Sequence, residues 1–248
     1  MTTRGGAMNK GLTTLGLLLI FTNSMVRGDD DRMTDSKTTL FMLKNAMDVF
    51  LTERDWYQFH NPKVDSNGPV VESSELLALF LFSKPEAGGV DILSAKREQV
   101  EDEFGDVISW LLCFALNAKV EVTKSIGMLY SKSDLQDDAV TTITHLRSML
   151  SDDQNLSIVD AACDLSVVAA RFMDFFRRES NDGRGNDVVE AKFEQVERLY
   201  AELWVAALTF ARKSDIDLSA AFKKKLEKTK LKYPVEKARG NASKYTDL

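Results

Sequence analysis

Glu72 and Glu75 stand three residues apart, as do Glu103 and Asp106, and each pair falls in a stretch with helical apolar periodicity. That spacing projects both carboxylates of a pair from one helical face, so packing the two stretches together converges four acids. A bare cluster of this kind is unfavourable, because like charges raise one another's pKa values, and a divalent cation relieves the repulsion. All-oxygen ligation suits Mg²⁺, and a cation so held can grip a polyphosphate. Acidic pairs are common on solvated helix faces, but the flanks here argue for a core boundary. Glu72 and Glu75 directly precede the apolar run LLALFLF, and Glu103 and Asp106 are interleaved with Phe104, Val107 and Ile108. Nearby Glu98, Glu101 and Asp102 read as solvated charges, the last two as accessories to the quartet. His60 and His145 are the only histidines and Cys113 and Cys163 lie 50 residues apart, so no zinc spacing is present.

Periodic apolar residues predict the elements that must carry these acids. Leu40, Leu43, Ala46, Met47, Phe50 and Leu51 mark a first helix ending near Arg54, with Asp35 and Ser36 as candidate caps. Residues 62–69 contain Asp65-Ser66-Asn67-Gly68-Pro69 and read as a turn-rich linker. A second helix is predicted from Val70 to Ser83, stopped before Pro85, a third over 94–118, and a fourth from Thr123, as its cap, to about Lys132.

The segment EQVEDEFGDVISWLLCFALNAKVEV (98–122) returns as EQVERLYAELWVAALTFARKSDIDL (194–218), 96 residues on and without a gap. Phe104 falls opposite Tyr200, Val107 opposite Leu203, Phe114 opposite Phe210, Val120 opposite Ile216 and Thr123 opposite Ser219. Upstream, TTLFMLKNAM (38–47) resembles TTITHLRSML (141–150). The organisation expected is an extension over 1–36, a repeat over 37–133, a linker at Ser133–Asp138 and a second repeat over 139–248. Each repeat would be a four-helix unit, and the two would bury their apolar stripes against each other as a pseudo-dimer within one chain. Leu199 and Glu202 stand where Glu103 and Asp106 do, and the counterpart of the first acidic pair is no clearer than Asp160 with Cys163 or Asp164. The second copy should therefore hold a metal poorly.

The totals agree with a globular all-α class: 44% hydrophobic and 28% charged residues, with only 4 prolines and 13 glycines in 248. A formal charge of −6 argues against a nucleic-acid polymer as partner. Both cysteines read as reduced core residues. The first 28 residues lack Asp and Glu, carry Arg4, Lys10 and Arg27, and include the apolar run Leu15 to Phe21. They fit a secretory or mitochondrial targeting segment or a plain extension, leaving cytoplasmic and mitochondrial locations open. Seven apolar residues fall far short of the roughly 20 that cross a bilayer, so no mature transmembrane anchor is expected.

With these residues in view, the chain resembles the all-α nucleoside triphosphate pyrophosphohydrolases, the MazG-like group, and within it the dCTP pyrophosphatases. The group's ExxE and following ExxD are matched by Glu72, Glu75, Glu103 and Asp106. ERDWYQFHNPK (53–63) and KYPVEKARGNASKYTDL (232–248) are similar to two further segments of that family. The resemblance implies Mg²⁺-dependent hydrolysis of a nucleoside triphosphate, of the deoxycytidine class, to the monophosphate and pyrophosphate. It also implies base recognition by Trp56 and His60, for which a core aromatic and a turn-stabilising imidazole are the plain alternatives. Lys225, Thr229 and Tyr233-Pro234 fall on a phosphate-contacting segment where the family carries Asn at the Thr229 position. Phe82 replaces a family Trp and so loses the indole donor. Lys223, Lys224, Lys228, Lys230 and Lys232 make the same helix basic. The complete residue set exists only if the second repeat's tail completes the first repeat's site. Further self-association is compatible with this reading. The competing classes are a catalytically weak nucleotide-binding or regulatory pseudoenzyme, favoured by Thr229, and a helical scaffold whose acids are surface charge.

Overall fold

The computed structural model describes residues 33–131, 135, 137–151 and 153–247. The segment Leu15 to Phe21 and most of the extension lie outside the described residues. Every regular element described is helical, the sole extended pairing being one antiparallel bridge between Thr39 and Thr142. Four helices lead the chain: α1 (Leu40–Glu53), α2 (Pro62–Leu79), α3 (Val90–Ala118) and α4 (Val122–Leu129). Six follow: α5 (Ile143–Ser148), α6 (Ile158–Glu179), α7 (Asn186–Ala191), α8 (Phe193–Lys213), α9 (Leu218–Lys232) and α10 (Val235–Ala238). No described helix is long and apolar enough to cross a membrane.

The segment expected to be a linker at 62–69 is instead the first half of α2. The Asn61 side chain accepts from the Val64 N–H, Pro62 occupies the first turn where its missing N–H costs nothing, and Pro69 is accommodated within the helix. Gly68 serves here by having no side chain: a Cβ would lie 2.1 Å from Cδ2 of Trp110 on α3. Turn-forming residues thus mark a close helix crossing and not a break.

α2 packs on both α3 and α6, α3 also receives α1 and α9, and α8 receives α6, α4 and α5. In the first half α3 therefore carries α9 of the second, and in the second half α8 carries α4 of the first. The central contacts are reciprocal. Phe104 meets Phe210 with ring centroids 5.1 Å apart, and Phe114 meets Tyr200 at 4.9 Å, the same two positions at an offset of 96. Phe172 and Phe176 complete the cluster around Phe114. The offset extends to α2 and α6: buried Pro62, Asp65, Ser66, Pro69, Ser73 and Leu76 are matched by buried Ile158, Ala161, Ala162, Leu165, Ala169 and Phe172. Glu72 and Glu75 then fall opposite Val168 and Arg171, not opposite the Asp160 region. Asp160 is occupied in a capping box with Ser157.

Two helix starts differ from expectation in the same way. Thr123 does not cap α4. Its hydroxyl is buried without a partner, and its backbone N–H donates to Asp138 Oδ1 at 2.8 Å. Asp35 does not cap α1, whose cap is Thr39. Its carboxylate instead accepts from the N–H groups of Leu218 and Ser219 and from the Ser219 hydroxyl at the start of α9. Lys44 pairs with Asp138 at 3.0 Å and Arg147 with Asp35 at 2.7 Å. The Phe41 N–H donates to the Asp138 carbonyl, and the Thr144 N–H to the Asp35 carbonyl. Each of these pairs is repeated at an offset of 103, so the residue leading into each half anchors the last helix of the other. The change from 103 to 96 leaves the first half seven residues longer between its first two helices, around Trp56 and His60. Cys113 is buried, but Cys163 is exposed on α6 and is not a core residue.

Replacing Asp35 by Asn strips a buried carboxylate from Arg147 and from three donors at the start of α9. It should lower unfolding free energy by about 2–4 kcal/mol, read as an earlier denaturant midpoint with an unchanged slope. A midpoint equal to that of the parent chain would contradict this anchoring role.

Candidate metal centre

α2 and α3 cross where Gly68 meets Trp110, and this contact sets the depth of the acids beside it. Glu72, Glu103 and Asp106 each offer a carboxylate oxygen, all within 4.8 Å of one another and half-buried. Glu75 is not among them. It is exposed one turn further along α2, yet near enough for its charge to act on Glu72 and Glu103. Of the four acids expected to converge, three do. Among the described residues the His, Cys, Asp and Glu side chains grouped at this point are all carboxylates, so the donor set fits a hard cation such as Mg²⁺ and not a thiolate- or imidazole-seeking one.

The electrostatics have the sign of a cluster short of positive charge. Burial pushes the Glu72 carboxyl up to about 7, helped by the charges of Asp106, Glu75 and Glu103 and opposed by a hydrogen bond from Trp110. Burial likewise raises Glu103 and Asp106, against the counter-pull of Lys225. Trp110 was not singled out from the sequence, although it lies one turn beyond Asp106 on the same face of α3. Its indole N–H donates to Glu72 Oε1 at 3.2 Å and aims that carboxylate.

Lys225 comes from α9, at the far end of the chain. Its ammonium lies 2.8 Å from Asp102 and contacts Asp106 directly. Burial works to lower its pKa, but the two carboxylates prevail and hold it above its ordinary value. The close approach depends on Gly105, where a Cβ would come within 2.7 Å of the Lys225 Cβ and 2.9 Å of the Ala221 carbonyl. Asp102 is not a solvated charge, since it bridges Lys225 and Lys228. Burial would raise its carboxyl, and the two lysines overcome this and bring it below the usual range. Lys224 faces Glu98 and Glu101, and Lys230 pairs with Glu227. The basic helix is thus largely matched by acids of α3 and of its own surface.

The remaining expected residues divide. His60 Nδ1 lies 2.7 Å from the buried Asp65, which also accepts from Asn117, and its ring tilts against Trp110 at 5.7 Å. It therefore borders the acid cluster through Trp110. Asp65 was hidden in the apparent linker. Trp56 is tied to the C-terminal segment: its indole N–H donates to the carbonyls of Ala238 and Asn241, and its ring meets Phe50 and Tyr233 edge-on. Its polar handle is therefore committed within the protein. Tyr233 stands between Trp56 and Tyr245. Thr229 donates its hydroxyl back to the Lys225 carbonyl, a bond within its own helix. Phe82 is 87% exposed on the turn after α2, beside Leu81 at 72%, with no ring partner among the described residues.

Similar proteins were found among curated sequences. Over 92 residues the chain is 29% identical to dCTP pyrophosphatase 1 of Bos taurus, covering 37% of this chain and 54% of that protein. Over 139 residues it is 27% identical to dCTP pyrophosphatase 1 of Homo sapiens, covering 51% of this chain and 79% of that protein. The chain spans about half the length of the cattle and rat relatives it matches. No family model and no solved structure matches it.

Glu72 holds its proton more tightly when folded than when unfolded, so it favours the folded state at low pH. That contribution is lost as pH rises from the ordinary carboxylate value of 4.5 through about 7. Glu72→Gln should remove the loss, so in EDTA at pH 8 the variant should melt higher than the parent by an amount worth about 1–2 kcal/mol, with the gap closing at pH 5. A gap that does not change with pH would contradict the assigned pKa.

Proposed function

We propose that this chain hydrolyses nucleoside triphosphates to the monophosphate and pyrophosphate at the Glu72, Glu103 and Asp106 cluster, with dCTP and related pyrimidine deoxynucleotides as substrates. The observation that carries the reading is three carboxylate oxygens from two helices within 4.8 Å, with a lysine from the last helix at their edge. The partial similarity to dCTP pyrophosphatase 1 supports a hydrolase at the level of that family. We further propose that the chain is an internally duplicated pseudo-dimer of MazG-like four-helix units. The reciprocal contacts at constant offsets support this, and so does the arrival of Lys225 from the second half at the acids of the first.

Mg²⁺ bound here would neutralise triphosphate charge and polarise the α-phosphate toward attack. The chain's own groups have separable parts. Glu72, Glu103 and Asp106 would hold the cation, with the Trp110 indole N–H orienting the Glu72 carboxylate. Lys225 opposes the burial that raises the Asp106 carboxyl and presents a buried positive charge to an incoming phosphate. Glu75 lies outside the three-carboxylate set and has no hydrogen-bond or ion-pair partner among the described residues, which leaves it able to take the proton of an attacking water. His60, its Nδ1 committed to Asp65 and its ring against Trp110, keeps a second ring nitrogen with which a pyrimidine edge could be read.

A pseudoenzyme reading rests on Thr229, whose hydroxyl is bonded within α9. The two separate cleanly by pyrophosphate release from dCTP in Mg²⁺. The parent chain should turn over. Glu72→Gln should lose both Mg²⁺ binding and activity, and Glu75→Gln should lose at least about 100-fold in kcat with Mg²⁺ binding retained. Nucleotide binding without any release by the parent would select the pseudoenzyme, and full activity in Glu72→Gln would refute the site itself.

A further inference from the structure

The second half carries a cleft of about 700 Å³ at the place related by the 96-residue offset to the acid cluster. That volume is within the range that encloses small organic ligands. Its walls come from α4, α6 and α8, as those of the acid cluster come from α9, α2 and α3. The chemistry is exchanged position by position. Arg171 stands for Glu75, Arg198 for Asp102, Leu199 for Glu103 and Leu129 for Lys225, while acids are kept at Glu202, opposite Asp106, and at Glu194, opposite Glu98. Of the three clustered acids Glu72, Glu103 and Asp106, the counterparts are Val168, Leu199 and Glu202, and that one acid cannot assemble a cation site of the kind described above.

What remains is graded from rim to floor. The Arg171 and Arg198 side chains are 59% and 73% exposed and flank Glu202, which is only 25% exposed. Their guanidinium nitrogens lie 3.4 and 3.5 Å from its carboxylate, longer than charge-assisted hydrogen bonds of about 2.7–2.9 Å. Both forks therefore keep donors for another oxyanion, and planar guanidinium pairs suit a phosphate. Leu129, Leu199 and Met128 supply an apolar wall for a flat ring, and Glu202 supplies an acceptor for a ring amino group. Glu202 lies between both arginines and Glu194 also lines the cleft, so two cationic and two anionic side chains leave it balanced in charge. A triphosphate without metal would bring too much negative charge, whereas a single phosphate group matches the two forks.

We infer that this cleft is a second, metal-independent site that binds a nucleoside monophosphate bearing an exocyclic amino group. The phosphate lies at the arginine rim and the base lies toward Glu202. The site is separate from the acid cluster and does not depend on turnover there.

Calorimetric titration of the full chain with dCMP in EDTA tests this, because chelation removes any metal-dependent binding at the acid cluster. Saturable binding below about 1 mM is expected. It should be unchanged by Asp106→Asn, at least about tenfold weaker in Arg171→Gln/Arg198→Gln, and weaker for dUMP, which lacks the amino group. Both arginines are largely exposed, so the double variant should melt with the parent. No binding in EDTA, binding lost in Asp106→Asn, or binding indifferent to the arginine changes would each overturn the inference. Pyrophosphate release in Mg²⁺ reports separately on the proposed hydrolysis, so either reading can fail alone.

Discussion

Three carboxylates held within 4.8 Å of one another repel, and much of the fold around them serves to keep them there. Two come from one turn of α3 and the third from α2, so the geometry depends on how closely those helices cross. Gly68 lets α2 settle against the Trp110 ring, and Trp110 in turn directs Glu72. The cost of gathering the acids appears in their raised pKa values, to which burial contributes most. Lys225 compensates part of it, at the expense of burying an ammonium group that only two carboxylates make tolerable.

That lysine reaches the site because α3 carries α9, as α8 carries α4. The two clefts then diverge in chemistry while keeping a common frame. One gathers acids and a lysine; the other gathers two arginines, two leucines and two glutamates. The aromatic pairs Phe104 with Phe210 and Phe114 with Tyr200 have similar centroid spacings, 5.1 and 4.9 Å, whereas the side chains around the two sites differ in charge.

Much of this was legible in the residues. Apolar periodicity located the long helices and the all-helical class, and the interleaving of Glu103 and Asp106 with Phe104, Val107 and Ile108 placed those acids at a core boundary. What escaped was non-local. Asn-Gly-Pro reads as a turn by local preference, and only the Trp110 ring arriving from α3 explains why it is helical. Thr123 and Ser219 resemble caps, whereas the carboxylates that hold those helix ends come from Asp138 and Asp35, the latter more than 180 residues away. Asp65 looked like a turn former and is a buried partner of His60. Glu75 has the same three-residue spacing from Glu72 as Asp106 has from Glu103, yet it is exposed and lies outside the cluster, so the spacing alone does not separate the two cases.

The crossed anchoring by Asp35 and Asp138 bears on how the chain can be divided. Neither half owns the contacts that fasten its own final helix: Asp35 fastens the last helix of the second half, and Asp138 that of the first. A backbone cut near residue 135 would therefore leave two fragments still clasped by helices and ion pairs that the peptide link does not supply. Expressed apart, each piece would lack the partner that completes it.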